Sequence, residues 1–452
     1  MKIFESILLN ANRLLLFFAI LLFSCKGDNE QIEENVIEEV EEYTFFDPDN
    51  PLNVSSCDAE NVACAFMQSD RGDNTQKASG ISYSIQKLTV IPDENMEPAM
   101  YVINLEPDGF CIVSATKQVD PILAYCDKGS FCLEKMSTSL ADWLYEEMEK
   151  IQYVRNDTSY IVPERVAAAW HKYINFRDKR RYLPGPDVRG ENYTIGPLLK
   201  TSWGQGHPYN YYMEKKCPNL EEYIYLGKYP AGCVATALAQ VLKYNAYPEN
   251  KYKWAKMKSI YYSDSPMDEG AKSMANLFYD LGKWLNMKYG CEGSEAFATD
   301  IPDVLEKKFN YVDGGEYKKL TEEEAAPIVA NEIKNGRLVI MDGYGSLIKK
   351  RKKIRFWKYD YIPDDGHCWV CDGYKQILST ILFITYPNGE TKSIKKYVNQ
   401  SFYHMNWGAD GFGMGNYDNN GWFSLGNIEI NDPEFNNNYQ YSRGYLIGIK
   451  AR

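Results

Sequence analysis

The chain predicts an α+β fold built from more than one unit, and three observations predict it. Its 452 residues exceed what one ordinary core accommodates. Short β-rich runs bounded by turn residues sit beside amphipathic helical stretches. A basic stretch bearing Pro and Gly divides the sequence before its middle. With 44% hydrophobic and 14% aromatic residues, the chain has apolar material enough for a sizeable core. A net charge of −12 argues against nucleic acid as a partner, because polyanions reward a basic face.

Residues 1–24 read as a signal peptide, with Lys2 and Arg13 ahead of an apolar run from Leu14 to Phe23 that is too short to span a bilayer. Leu22-Phe23-Ser24-Cys25 is similar to a bacterial lipobox, which makes Cys25 the expected lipidation site and the membrane a partner through that anchor. The alternative is an ordinary signal peptide with an incidental cysteine. Residues 25–45 form an acidic tether with Glu33, Glu34, Glu38, Glu39, Glu41 and Glu42 and nothing to pack a core. Acidic residues behind a lipidated cysteine resemble a surface-export signal of Gram-negative lipoproteins. The expected location is therefore the outer membrane, surface-exposed or released. Outside the cytoplasm disulfides are permitted, and setting aside Cys25 and Cys233 leaves nine of the eleven cysteines, an odd number.

Residues 46–176 predict a smaller α+β unit. Ala99–Leu105 and Gly109–Ser114 are the clearest strands, and a helix over Ser139–Val154 aligns Leu140, Trp143, Leu144, Met148 and Ile151 on one face. Residues 177–191, with Lys179-Arg-Arg181 and Pro184-Gly-Pro186, suit an exposed and cleavable linker. Residues 192–452 begin with loop and helix and finish with strands at 338–342, 367–374, 381–386, 401–407, 422–425 and 445–450. An active site is expected between those two halves.

The chemistry concentrates around few residues, since the chain holds only four histidines. Gly232-Cys-Val-Ala-Thr-Ala-Leu-Ala-Gln-Val-Leu-Lys-Tyr244 sets Cys233 at the start of a helix, where unpaired N–H groups and the positive dipole end favour a thiolate. A nucleophilic thiolate needs a base and an oxyanion site. His367 opens an apolar strand within Asp365-Gly-His-Cys-Trp-Val-Cys-Asp-Gly-Tyr374. Gln205 can supply an amide to the oxyanion beside the Cys233 N–H. Asn406 can hold the imidazole, and Trp407 can cover that contact. The order Gln, Cys, His, Asn is the one used by papain-like enzymes.

Those segments resemble the streptopain family. The nucleophile segment with Tyr247-Pro248, Gln205-Gly-His-Pro-Tyr-Asn210, Gly366-His367 ahead of Cys371-Asp-Gly373, and Tyr403-His-Met-Asn-Trp-Gly408 match in order. The resemblance implies a papain-like cysteine protease fold, with Cys233 as nucleophile, His367 as base, Gln205 in the oxyanion hole, and Asn406 and Trp407 orienting the base. It implies protein or peptide substrates, with Gly366, Gly293 and Ser294 on the substrate side; an exposed turn is the other reading of residues 289–296. Ala99 to Glu134 is similar to the family's pro-domains, which implies that residues 46–176 act as an intramolecular inhibitor until the linker is cut. Three departures stand out. Asn406-Trp-Gly-Ala-Asp-Gly411 lacks the family's second tryptophan, an insertion with a hairpin at Pro387-Asn-Gly389 follows Tyr374, and the lysine-rich run Lys349–Lys353 ahead of His367 has no counterpart in the family.

Other chemistries find less support. His404 could serve as base only if Asn406 also changed its task. Cys368 and Cys371 form a C-x-x-C, yet no second pair follows, and residues three apart on a strand face opposite sides. No cofactor or metal is expected, and zincin, GxSxG and Walker A signatures are absent. The rival functions are an inert surface lipoprotein acting as inhibitor or binding module, and an acyl transferase using the same dyad.

Overall fold

The computed structural model describes residues 50, 52–69, 82–93, 95–133, 138–163, 166, 169, 170, 172, 173, 193–218, 222–291, 293–352, 358–385, 391–408, 419–425 and 443–452. The signal, tether and linker, with Cys25 and the Pro387-Asn-Gly389 turn, lie outside the described residues.

The amino-terminal unit is a four-stranded meander: β1 (Ser84–Pro92), β2 (Pro98–Glu106), β3 (Phe110–Ser114) and β4 (Ile122–Cys126). Neighbours pair antiparallel in chain order. Strand alternation sorts their apolar residues to two faces. Tyr101, Ile103, Cys111 and Val113 meet Ala59, Val62, Ala63 and Phe66 of α1 (Ser56–Ser69). Met100, Val102, Phe110 and Ile112 meet Leu140, Trp143, Leu144 and Met148 of α2 (Thr138–Asn156). The β2–β3 turn requires Gly109, whose φ is +100° and whose added Cβ would lie 2.5 Å from the Cys126 carbonyl oxygen.

The larger unit starts with β5 (Tyr193–Ile195) and a single turn, α3 (Glu222–Tyr225), and continues into α4 (Cys233–Asn245), α5 (Glu269–Trp284) and α6 (Ile301–Phe309). Asp268 caps α5 by accepting the Ala271 N–H at 2.8 Å. Next come β6 (Glu316–Lys319) and α7 (Glu322–Lys334), whose start is fixed by a capping box between Thr321 and Glu324. The strands β7 (Val339–Lys352), β8 (Lys358–Thr385), β9 (Thr391–Asn406), β10 (Gly421–Phe423) and β11 (Gly444–Ile447) complete it. Val234, Leu238, Val241 and Leu242 of α4 share one core with Met274, Leu277 and Phe278 of α5 and with Ile340, Cys368 and Val370 of the sheet. Each large apolar side chain so buried contributes about 1.5–3 kcal/mol.

One sheet runs β1-β2-β3-β4-β10-β9-β8-β7-β11-β6 through both units, with β5 beside β8. The seam pairs Trp422 with Tyr125 and Phe423 with Ala124, and each edge strand thereby satisfies the other's peptide groups. The strands expected at 367–374 and 381–386 are one strand, β8. The polar residue Lys375 does not interrupt the ladder, because its ammonium rests over the Trp422 and Tyr125 rings at 4.7 and 5.2 Å from their centroids.

Candidate active site

Cys233 is the first residue of α4, and the chain reaches it through Gly232 at φ +92°. A Cβ on Gly232 would lie 2.7 Å from the Met287 methyl and 3.0 Å from the Ser294 carbonyl oxygen, so only glycine fits between those two residues and the helix start. Backbone N–H groups of Cys368, Val234 and Cys233 itself point at the sulfur and favour thiolate. Burial outweighs them, and with the nearby Asp342 carboxylate it pushes the thiol up to about 11.

Across from the thiol stands β8. Cys368 and Val370 face the α4 core, while Trp369 and Cys371 face the core built around α2. His367 pairs with Gly343, and a Cβ on Gly343 would lie 3.3 Å from the Trp369 ring. Cross-strand partners share a face, so His367 belongs to the Trp369 face. The structure brings the chain at Cys368, the residue after His367, against Cys233. Burial alone lowers the His367 pKa to about 4, which keeps the ring neutral.

Asn406 sits opposite Val370, at the end of β9. Its Nδ2 donates to the Thr201 carbonyl at 2.8 Å, and its Oδ1 accepts from Gln240 Nε2 at 3.1 Å and from the Gly408 N–H at 3.2 Å. Asn406 thus braces the loop before α4 in this state. Trp407 packs on Trp369 and Phe423, at ring separations of 5.2 and 5.0 Å, within the core shared with α2. Gln205 is half-buried in that loop, its carbonyl accepting the Ala231 N–H at 3.0 Å. Ser294 is buried and donates to the Pro230 carbonyl at 2.7 Å, while Gly293 is exposed with open space around it. A disulfide between Cys217 and Cys291 ties this segment down. Gly366 pairs with Tyr344 on the ladder beside His367. His404 is committed elsewhere, its Nδ1 lying 2.6 Å from the Asp372 carboxylate.

Sequence reasoning passed over Gln240. Its Oε1 accepts from Thr201 Oγ1 at 2.9 Å and from the Trp203 N–H at 3.2 Å while Nε2 holds Asn406. The signal was present: a glutamine seven residues after Cys233 lies on an otherwise apolar helix face, and a polar group there needs partners. Also missed was the ionic cluster that joins the two units. Lys150 of α2 lies 2.9 Å from Glu147 and 2.8 Å from Glu322, and Arg443 bonds Glu146 of α2 and reaches Glu322 at 2.5 Å. Partners more than a hundred residues apart leave no local pattern.

Residues 203–417 match the sequence model of the Peptidase C10 family, and residues 51–151 match that of the Spi protease inhibitor. The thiol protease/hemagglutinin PrtT of Porphyromonas gingivalis is 24% identical over 363 residues, 72% of this chain. The chain spans about a third of that relative, 34% of its length. Streptopain of Streptococcus pyogenes serotype M1 is 23% identical over 401 residues, which cover 78% of this chain and 83% of streptopain. Among solved structures, a fragment of prointerpain A from Prevotella intermedia is similar in fold, with TM-score 0.51 and 22% identity over 81% of this chain and 99% of the fragment. The fold is that of a papain-like protease with a pro-region, and the two sequence models set a cysteine peptidase segment behind an inhibitor segment. Residues 203–417 are thus similar to the peptidase part of streptopain-type cysteine proteases, and residues 51–151 are similar to an inhibitor of the Spi kind that precedes it.

Proposed function

We propose that this protein is a secreted, lipid-anchored cysteine endopeptidase, held latent by residues 46–176 and released by cleavage within residues 177–191. In the active form the Cys233 thiolate attacks a peptide carbonyl. Gln205 and the Cys233 N–H receive the oxyanion, imidazolium His367 protonates the leaving amine, and water then frees the acyl group. Gly366, Gly293 and Ser294 line the substrate side, and Asn406 with Trp407 orients the base. Cys25 would carry the lipid and hold the enzyme at the outer membrane of a Gram-negative envelope.

The observation that carries this reading is the contact of the Cys233 sulfur with the Cys368 N–H, one residue from His367 on β8. Latency follows from the burial of His367: Trp369, two residues along β8, packs in one core with Leu140, Trp143 and Leu144 of the pro-region helix. Departure of the pro-region would rehydrate the ring, raise its pKa from about 4 towards the ordinary value, and let a thiolate–imidazolium pair form.

Intact-mass analysis with a cysteine-protease epoxide, before and after limited trypsin cleavage, tests the proposal. One adduct on Cys233 after cleavage only, absent from Cys233→Ala, is the expected result. A folded, cleaved protein whose Cys233 stays unlabelled would sink it in favour of an inert inhibitor or binding lipoprotein. Lipidation is read separately, as a mass increase lost in Cys25→Ala.

A further inference from the structure

Cys233 and Cys368 are two unbridged thiols, one opening α4 and the other on β8, and those two elements pack on each other. The Cys368 N–H points at the Cys233 sulfur. Its side chain is 2% exposed within the apolar cluster against which Cys233 packs. A charge on Cys233 is felt directly by Cys368. Cys371, three residues on, lies in the other core. A sulfur in contact with a residue's own N–H lies beside that residue's side chain, which makes the two thiols neighbours for a bridge.

From this geometry we infer that Cys368 is a resolving thiol for Cys233: a peroxide oxidises Cys233, and Cys368 then closes a reversible disulfide that locks the site. That the lock silences a peptidase rests on the reading of Cys233 as nucleophile. First, the Cys233 sulfur attacks one peroxide oxygen, the O–O bond breaks, and with hydrogen peroxide the second oxygen leaves as water with the thiol proton. The sulfur is oxidised to a sulfenic acid and the peroxide is reduced. Next, the Cys368 sulfur attacks the sulfenic sulfur, the S–S bond forms as the S–O bond breaks, and the departing hydroxide takes the Cys368 proton as water. A dithiol reductant restores both thiols. Without Cys368 the sulfenic acid remains open to irreversible oxidation.

The test treats the trypsin-processed whole chain with hydrogen peroxide, digests it without reductant, and maps cysteine peptides by mass spectrometry. A Cys233–Cys368 linked peptide that disappears with dithiothreitol is expected. Measured against each variant's own untreated activity, Cys368→Ala should lose about tenfold in reductant-recoverable activity, and Cys371→Ala should recover like wild type. The wild-type map needs no variant to fold. Cys233 found only as sulfinic or sulfonic acid, or joined to another cysteine, overturns the inference. An epoxide-reactive, proteolytic Cys233 without the link also overturns it and leaves the peptidase reading standing. The link in a protein that cleaves nothing supports the thiol pair while the peptidase reading fails.

Discussion

Gln240 donates from Nε2 to Asn406 Oδ1 at 3.1 Å, joining the helix that begins at Cys233 to the strand end opposite Val370. The same side chain accepts from Thr201 and Trp203. Replacing it with Leu keeps the volume but strands buried donors at about 1–3 kcal/mol each. Gln240→Leu should therefore lose about 2–4 kcal/mol in urea unfolding. A change within about 0.5 kcal/mol would mean that water replaces the amide.

Latency should weaken as pH rises. Glu146, Glu147 and Glu322 face Lys150 and Arg443 at the pro-region interface, three carboxylates against two cations, with the buried Tyr445 hydroxyl beside them. Burial raises the pKa of Glu146 and Glu147. A carboxylate with a raised pKa in the docked state binds its proton more tightly there. Its contribution to docking is full below the ordinary carboxylate pKa and is lost as pH climbs through the raised one. Pro-region dissociation, followed by fluorescence, should accelerate with pH over that window, and Glu147→Gln should flatten the profile.

Processing should change the thiol. In the uncleaved chain Cys233 stands near 11, so alkylation by iodoacetamide should climb only at alkaline pH. Each unit by which the pKa falls on pro-region release multiplies the neutral-pH thiolate roughly tenfold. Alkylation rates against pH, read by peptide mass, should show the midpoint move down. Equal midpoints before and after processing would dissociate the pro-region from the state of the thiol.

The Cys217–Cys291 bridge closes a separation of 74 residues. On chain entropy, a loop of that size is worth about 4 kcal/mol. Cys217→Ser with Cys291→Ser should lower the melting temperature of the processed protein and raise KM more than it lowers kcat, because Met287 and Ser294, on either side of Cys291, lie against Gly232. An unaltered KM would detach this segment from substrate binding.

What was legible in the sequence was what is local. The helix opened by Cys233 and the strand through His367 follow from apolar spacing, and the turn at Gly109 from its residue type. The resemblance supplied the order of the site segments. The side of β8 on which His367 lies was not legible, because alternation assigns faces only after the layer behind each face is known. Nor was the junction of β4 with β10, which depends on two edges almost three hundred residues apart. Gln240 was readable in principle, and the helical pattern hid it among alanines and valines.

The seam at Tyr125 and Trp422 is written in peptide groups, since β4 and β10 meet through backbone ladders and the Ser424 N–H adds another bond, 2.9 Å to the Leu123 carbonyl. Cutting the linker would sever the covalent tether and leave that ladder whole. The freed fragment would then be held by non-covalent bonds alone, and its departure would obey mass action: dilution favours the working enzyme, and crowding at one surface favours silence.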